Sequence, residues 1–107
     1  MMAKMRSDPL IQAALDEALL DMEELCRAAG ISPEWLLQRV DAGLVAAPGA
    51  AGEPQRWRFD APTVRRVRCM VRIERDFDAG AELAALVADL QDEIERLRAR
   101  LRRSGLA

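Results

Sequence analysis

Leu83, Val87, Leu90, Ile94, Leu97 and Leu101 are spaced 4, 3, 4, 3 and 4 residues apart. That alternation keeps one apolar stripe on a single side of a helix and is the seam of a coiled coil. The pattern predicts a helix over residues 81–103 whose outward chemistry is association. With Val87, Ile94 and Leu101 at a and Leu83, Leu90 and Leu97 at d, the choice of side chains favours two parallel strands. Glu93 then falls at g and Arg98 at the following e, so opposite charges face each other across a homodimer. The competing expectation is that this helix folds back on the one before it.

Upstream, the apolar positions come in shorter groups separated by capping signals. Leu10, Ile11, Ala14, Leu15, Ala18 and Leu19 suit a short helix, with a strand feeding the next unit as the alternative. Asp21 followed by Glu24 is a capping box. It opens a helix with Met22, Leu25, Cys26 and Ala29 on one face, and Gly30 is its left-handed stop. Ser32-Pro33-Glu34 opens a second helix with an N-cap, a proline at the first position and an acid in the first turn. That helix carries Trp35, Leu36 and Val40 inward and stops at Gly43. Two helices joined by a tight glycine turn within this span form a helix-turn-helix pattern. Leu44-Val45-Ala46-Ala47 and Arg56-Trp57-Arg58-Phe59 flank a Pro/Gly loop and predict a small β-hairpin wing. Asp60 and Pro62 then open a third helix with Val64, Val67, Met70, Val71, Ile73 or Glu74, and Phe77 on its apolar side, broken at Asp78-Ala79-Gly80.

The expected organisation is an N-terminal extension over residues 1–19, a helix-turn-helix unit over 20–79, and the heptad helix over 80–107. Half of the 107 residues are hydrophobic but only 4% are aromatic, so the core is aliphatic and the fold mainly helical. Trp35 and Trp57 are the largest apolar groups and are expected as core anchors, the alternative being that one is a partly exposed contact point for a partner. The net charge of −2 gives no global attraction to nucleic acid. No histidine is present, which removes His-based triads and imidazole metal ligands. No Gly-rich phosphate loop appears, and the carboxylates fall at charge-pair spacing on helix faces. Enzymatic chemistry, cofactors and metals are therefore not expected. Cys26 and Cys69 are far apart in sequence and read as reduced residues of a cytoplasmic protein. No signal peptide and no membrane span are expected.

The order of these pieces resembles a MerR-type winged helix-turn-helix. "DMEELCRAAGISPEWLLQRVDAGLV" carries the first half of the likeness, and "RWRFDAPTVRRVRCMVRIERDFDAGAELAALVADLQDEIERLRARL" the second. The second stretch is more narrowly similar to the CbpM chaperone-modulator family, through Arg72-Ile73-Glu74-Arg75-Asp76-Phe77 and Leu90-Gln91-Asp92-Glu93-Ile94-Glu95-Arg96-Leu97-Arg98. The resemblance implies a binding protein without catalytic residues. It would dock on the J domain of a CbpA-type co-chaperone and block its productive meeting with a DnaK-type chaperone. The heptad helix reaches the end of the sequence, so the large effector-sensing domain of metal- or drug-sensing MerR regulators is not expected.

Local charge weighs that reading against DNA binding. Residues 20–42 hold Asp21, Glu23, Glu24, Glu34 and Asp41 against Arg27 and Arg39, a balance of −3. A recognition helix approaching phosphates normally offers bases near its start, and this one starts Ser32-Pro33-Glu34. J domains resemble one another in having a basic second helix. Asp21, Glu23 and Glu24, with Asp16 and Glu17, are therefore the candidate docking face; the plainer reading is a solvated, capped helix. Against this, residues 53–76 hold seven arginines and four acids, a balance of +3. Arg39, with Arg56 and Arg58 on the predicted wing, is the candidate contact set for the alternative, a small MerR-like DNA-binding regulator. In the plainer reading Arg56 and Arg58 simply alternate with inward Trp57 and Phe59, and Arg65, Arg66 and Arg72 pair with the acidic helices of the same domain or of a partner subunit. A dimerisation module or antitoxin-like adaptor is a third class.

Overall fold

A computed structural model describes residues 19–47 and 52–105; Asp16, Glu17 and the helix expected before residue 19 lie outside them. The elements are α1 (Met22–Ala29), α2 (Pro33–Asp41), a single 3-10 turn at Pro54–Arg56, α3 (Ala61–Phe77) and α4 (Ala81–Arg103).

The caps follow from local hydrogen bonds. Asp21 accepts from the Glu24 backbone N–H at 2.8 Å, and the Asp21 N–H donates to Glu24 Oε1 at 2.9 Å, so two orphan donors of α1 are satisfied reciprocally. Gly30 ends α1 at φ +69°, where a side chain would be strained. Ser32 accepts from the Trp35 N–H at 3.1 Å and Pro33 is the first residue of α2. Asp60 accepts from the Thr63 N–H at 3.0 Å at the start of α3.

α3 is the axis of the molecule. Val64, Val67 and Met70 lie on one side of it and are fully buried, with Val71 beside them. Leu25 of α1, Leu36 of α2, and Val45, Trp57 and Phe59 from the connecting segments complete that core. Trp57 and Phe59 meet edge to face, with ring centroids 6.3 Å apart. Ala84, Ala85 and Ala88 of α4 are also in it. No polar or charged residue is buried among the described residues.

Two expectations need correction. The hairpin wing is absent from the described residues. The alternation in Arg56-Trp57-Arg58-Phe59 does bury the aromatics and expose the arginines. Pro54 starts a 3-10 turn instead of a strand, and Phe59 makes one antiparallel bridge with Leu20. That bridge closes through both backbone N–H groups, at 3.0 and 2.8 Å. Proline offers no N–H to a ladder, so the segment spends its pairing capacity at one point. Phe77 is the second correction. It is 72% exposed, because Asp78 turns into the left-handed region and ends α3 before that turn reaches the core.

Hydrogen bonding by Thr63, through its side chain first and its backbone N–H after, holds the Asp60 carboxyl below its ordinary value against the opposing effect of partial burial. Because the folded value is the lower one, the cap stabilises fully above about pH 4 and is lost as pH falls through the folded value. Asp60→Ala is expected to lower stability by about 1 kcal/mol at neutral pH and by less in acid. Urea melts of both proteins across that range measure this.

Candidate docking surface

Of the acidic side chains singled out in α1, Asp21 and Glu24 are half-buried and hold each other's backbone in the capping box, whereas Glu23 points to solvent. Glu23 borders an open cleft with Met22, Cys26, Arg27, Ile31 and Pro33. The floor is thus apolar, with the exposed Glu23 carboxylate and the exposed Arg27 guanidinium on its edge. Burial, and after it the Glu34 carboxylate, push the Cys26 thiol up, so it stays protonated and acts as a small apolar group. Cys26 and Cys69 are both free. Among the described residues no cluster of side chains has the make-up of a metal site.

The candidate DNA-contacting arginines are not equivalent. Arg39 turns inward. Its guanidinium lies over the Trp35 ring, 4.3 Å from the centroid, and pairs with Glu74 of α3 at 2.7 Å. Trp35 Nε1 donates to the same Glu74 oxygen at 3.0 Å, and Arg39 also donates to Gln38. The Arg39 and Glu74 side chains retain only 12% and 16% exposure. This contact fixes the angle of α2 on α3 through a cation over an aromatic face and a charge-assisted hydrogen bond. Arg58 donates to the carbonyls of Trp57 at 2.7 Å and Gln55 at 3.2 Å, which stiffens the chain after the 3-10 turn. Arg56 is exposed.

The heptad residues lie on α4, and most of that helix stands away from the core. Its packing on α3 uses Ala84, Ala85 and Ala88, which let the backbones approach closely. Arg66 secures the joint. Its Nε donates to the Leu44 carbonyl at 2.8 Å and its NH1 meets Asp89 at 2.6 Å. From Asp89 to Arg98 every residue is exposed. Leu83, Leu90, Ile94, Leu97 and Leu101 are between 41% and 55% exposed, and Val87 is half-buried. The contact with α3 therefore uses a different side of the helix from the seam.

Sequence reasoning missed the Trp35–Arg39–Glu74 lock. Its partners are 35 and 39 residues apart, and no local spacing signals them. Arg66 carried a weak signal, as a basic residue expected to pair with acids of the same domain.

This arrangement is a helix-turn-helix held against a long third helix, with a projecting fourth. A family model described as MerR HTH family regulatory protein matches residues 20–104, and the chain belongs to that family. Its curated relatives are more specific. It is 30% identical over 79 residues to a protein of Pseudomonas entomophila (strain L48) named chaperone modulatory protein CbpM, covering 74% of this chain and 76% of that one. Proteins of the same name from Coxiella burnetii (strain Dugway 5J108-111) and Pseudomonas putida (strain W619) are 30% and 29% identical over 83 and 79 residues. They cover 78% and 74% of this chain, and 76% of the relative in each case. No solved structure gives a significant match. No helix among the described residues is long and apolar enough to cross a membrane.

Glu74→Ala leaves the Arg39 charge desolvated and unpaired and is expected to destabilise by about 3 kcal/mol. Replacing both partners, Arg39→Met with Glu74→Leu, is expected to restore stability to within about 1 kcal/mol of the parent. Denaturant titration followed by tryptophan fluorescence reads both values.

Proposed function

We propose that this chain is a cytoplasmic chaperone modulator that binds the J domain of a CbpA-type co-chaperone and inhibits its cooperation with a DnaK-type chaperone. The observation that carries this reading is the chemistry of α1 and α2. The helix pair that would face phosphates in a DNA-binding relative is acidic, and the Arg39 of α2 is engaged with Glu74. Arg27 is the one exposed base of α1 and α2, so the counterion release that drives DNA binding is small on that face. The names of the relatives support the same role. Glu23, free beside the apolar cleft, is the principal contact for a basic helix. Asp21 and Glu24 add to the local field while capping α1; Asp16 and Glu17, the other acids proposed as contacts, lie outside the described residues.

The proposal includes a homodimer formed through Leu83, Val87, Leu90, Ile94, Leu97 and Leu101. The projecting part of α4 is about as long as the shortest helices that persist alone in water, so it gains order from a partner. Its large side chains repeat at seam spacing and are uncovered by the fold. Charge favours antiparallel strands over the parallel pair suggested by the a and d residues. Glu82, Asp89, Asp92, Glu93 and Glu95 occupy the first part of α4, and Arg96, Arg98, Arg100, Arg102 and Arg103 the last. Antiparallel strands set each half against its opposite, and parallel strands set like against like. Glu93 and Glu95 also pair within the helix, with Arg96 and Arg98, which weakens the case for a parallel cross-strand pair.

Titration calorimetry of the full chain with a purified J domain tests the function. Glu23→Lys is expected to weaken binding about tenfold, the scale of one lost charge contact made repulsive. No binding by the parent chain, together with salt-sensitive retention of duplex DNA, replaces the modulator reading with the DNA-binding regulator. Ile94→Glu is expected to convert a dimer to monomer in sedimentation equilibrium. In a Cys26→Ala/Cys69→Ala background, Ser104→Cys is expected not to cross-link two copies readily; rapid disulfide formation shows parallel strands.

A further inference from the structure

The side of α3 turned away from the core carries a second, oppositely charged surface. Arg65, Arg68, Arg72 and Arg75 are spaced 3, 4 and 3 residues apart and are all exposed. That spacing places them in one row along the helix, over a rise of about 15 Å. Arg68 is anchored, its NH1 donating to the Ala28 carbonyl at the end of α1 at 3.0 Å. Arg72 and Arg75 make no hydrogen bond or ion pair with the described residues, unlike Arg39 and Arg66, which are tied into the fold.

The row borders a groove. A recess of about 240 Å³ lies between α3 and the end of α1, with Ala29 and Val71 among its lining residues and Arg72 and Arg75 on its side. A second recess, of about 390 Å³, adjoins it through Val71 and Arg75 and reaches Ile31 and Trp35 at the helix-turn-helix corner. Together they make a trough with guanidinium groups along the first recess and an apolar floor in the second, at Ile31, Trp35 and Val71. Glu74 reaches the second recess, but its carboxylate is already held by Trp35 and Arg39. It therefore does little to neutralise the row. Asp76 stands at one end.

We propose that this trough is a second docking surface and that it takes an acidic amphipathic helix of a partner protein. Arginines every third and fourth residue match carboxylates placed at the same interval on a helix laid alongside. A guanidinium fork binds a carboxylate through paired hydrogen bonds, and the apolar floor accepts the helix's hydrophobic side. A nucleic-acid strand uses the arginines but gains little from aliphatic Ile31 and Val71, and the Trp35 ring face is already occupied by the Arg39 guanidinium. The proposal stands apart from the J-domain reading, which concerns the acidic edge of α1 and a partner of opposite charge.

The test uses the full-length protein and a fluorescein-labelled, helix-forming peptide. The peptide has leucine at every third or fourth position and glutamate on the flanking positions. Anisotropy titrations compare it with a scrambled peptide of the same composition and with a random-sequence DNA duplex. Binding of the patterned peptide is expected to fall about tenfold in Arg72→Glu/Arg75→Glu and to be unchanged in Arg56→Glu/Arg58→Glu, which alters the same charge beside the 3-10 turn. Arg72→Gln/Arg75→Gln gives a smaller loss in the same direction, and serves alone if the reversal does not fold by circular dichroism. The proposal is overturned by any of four results: no binding to the parent chain, equal binding of the scrambled peptide, equal loss in the Arg56/Arg58 variant, or duplex DNA held more tightly with the same dependence on Arg72 and Arg75.

Discussion

Everything in this fold leans on the burial of one stripe of α3. Val64, Val67 and Met70 have no exposed surface, and the remaining elements are placed by what each offers to them or their neighbours. α1 offers Leu25, α2 offers Leu36, the connecting segment offers Trp57 and Phe59, and α4 offers alanines. Such an aliphatic core is non-directional and does not by itself set the angle at which each helix crosses. Direction comes from the polar contacts at its margin. Glu74 draws in Trp35 and Arg39, and Arg66 reaches the Leu44 carbonyl and Asp89. The other three helices are positioned by apolar burial around α3, and two long-range ion pairs orient α2 and α4 upon it.

Helix boundaries were legible in the sequence because the interactions that set them are local. Asp21 with Glu24, Ser32 before Pro33, and Asp60 before Pro62 each act within one turn of chain, and each appears as a hydrogen-bonded cap. Gly30 was readable for the same reason, since only the adjoining turn decides that a left-handed residue is needed. The segment after α2 was less readable. Alternation from Arg56 to Phe59 told correctly which side chains face inward, but alternation cannot tell whether a neighbouring strand exists to pair with. The chain made a single bridge to Leu20, far back in sequence.

The surface was legible in its charges and not in their commitments. Sequence places Arg39, Arg56 and Arg58 in one class, whereas the fold turns Arg39 inward, sets Arg58 on backbone carbonyls and leaves Arg56 in water. Among the acids the difference is local, since the capping box that occupies Asp21 and Glu24 spans three residues and leaves Glu23 out. Arg39 is the case set by a residue remote in the chain, Glu74, and no periodicity encodes that pair. The heptad pattern had a similar blind spot. It identified a stripe with precision but was silent on the plainer stripe of alanines that the core takes.

The division of labour on α4 has an evolutionary consequence. Small residues attach the helix to its own domain, and large ones lie uncovered on a different side. Under the proposed pairing, substitutions along the large-residue stripe would alter which helices it pairs with, and how strongly, while leaving Ala84, Ala85 and Ala88 in place. Oligomeric state and choice of associate can therefore drift between lineages on a constant domain, and paralogues within one cell can become mutually blind by changes confined to a few exposed leucines.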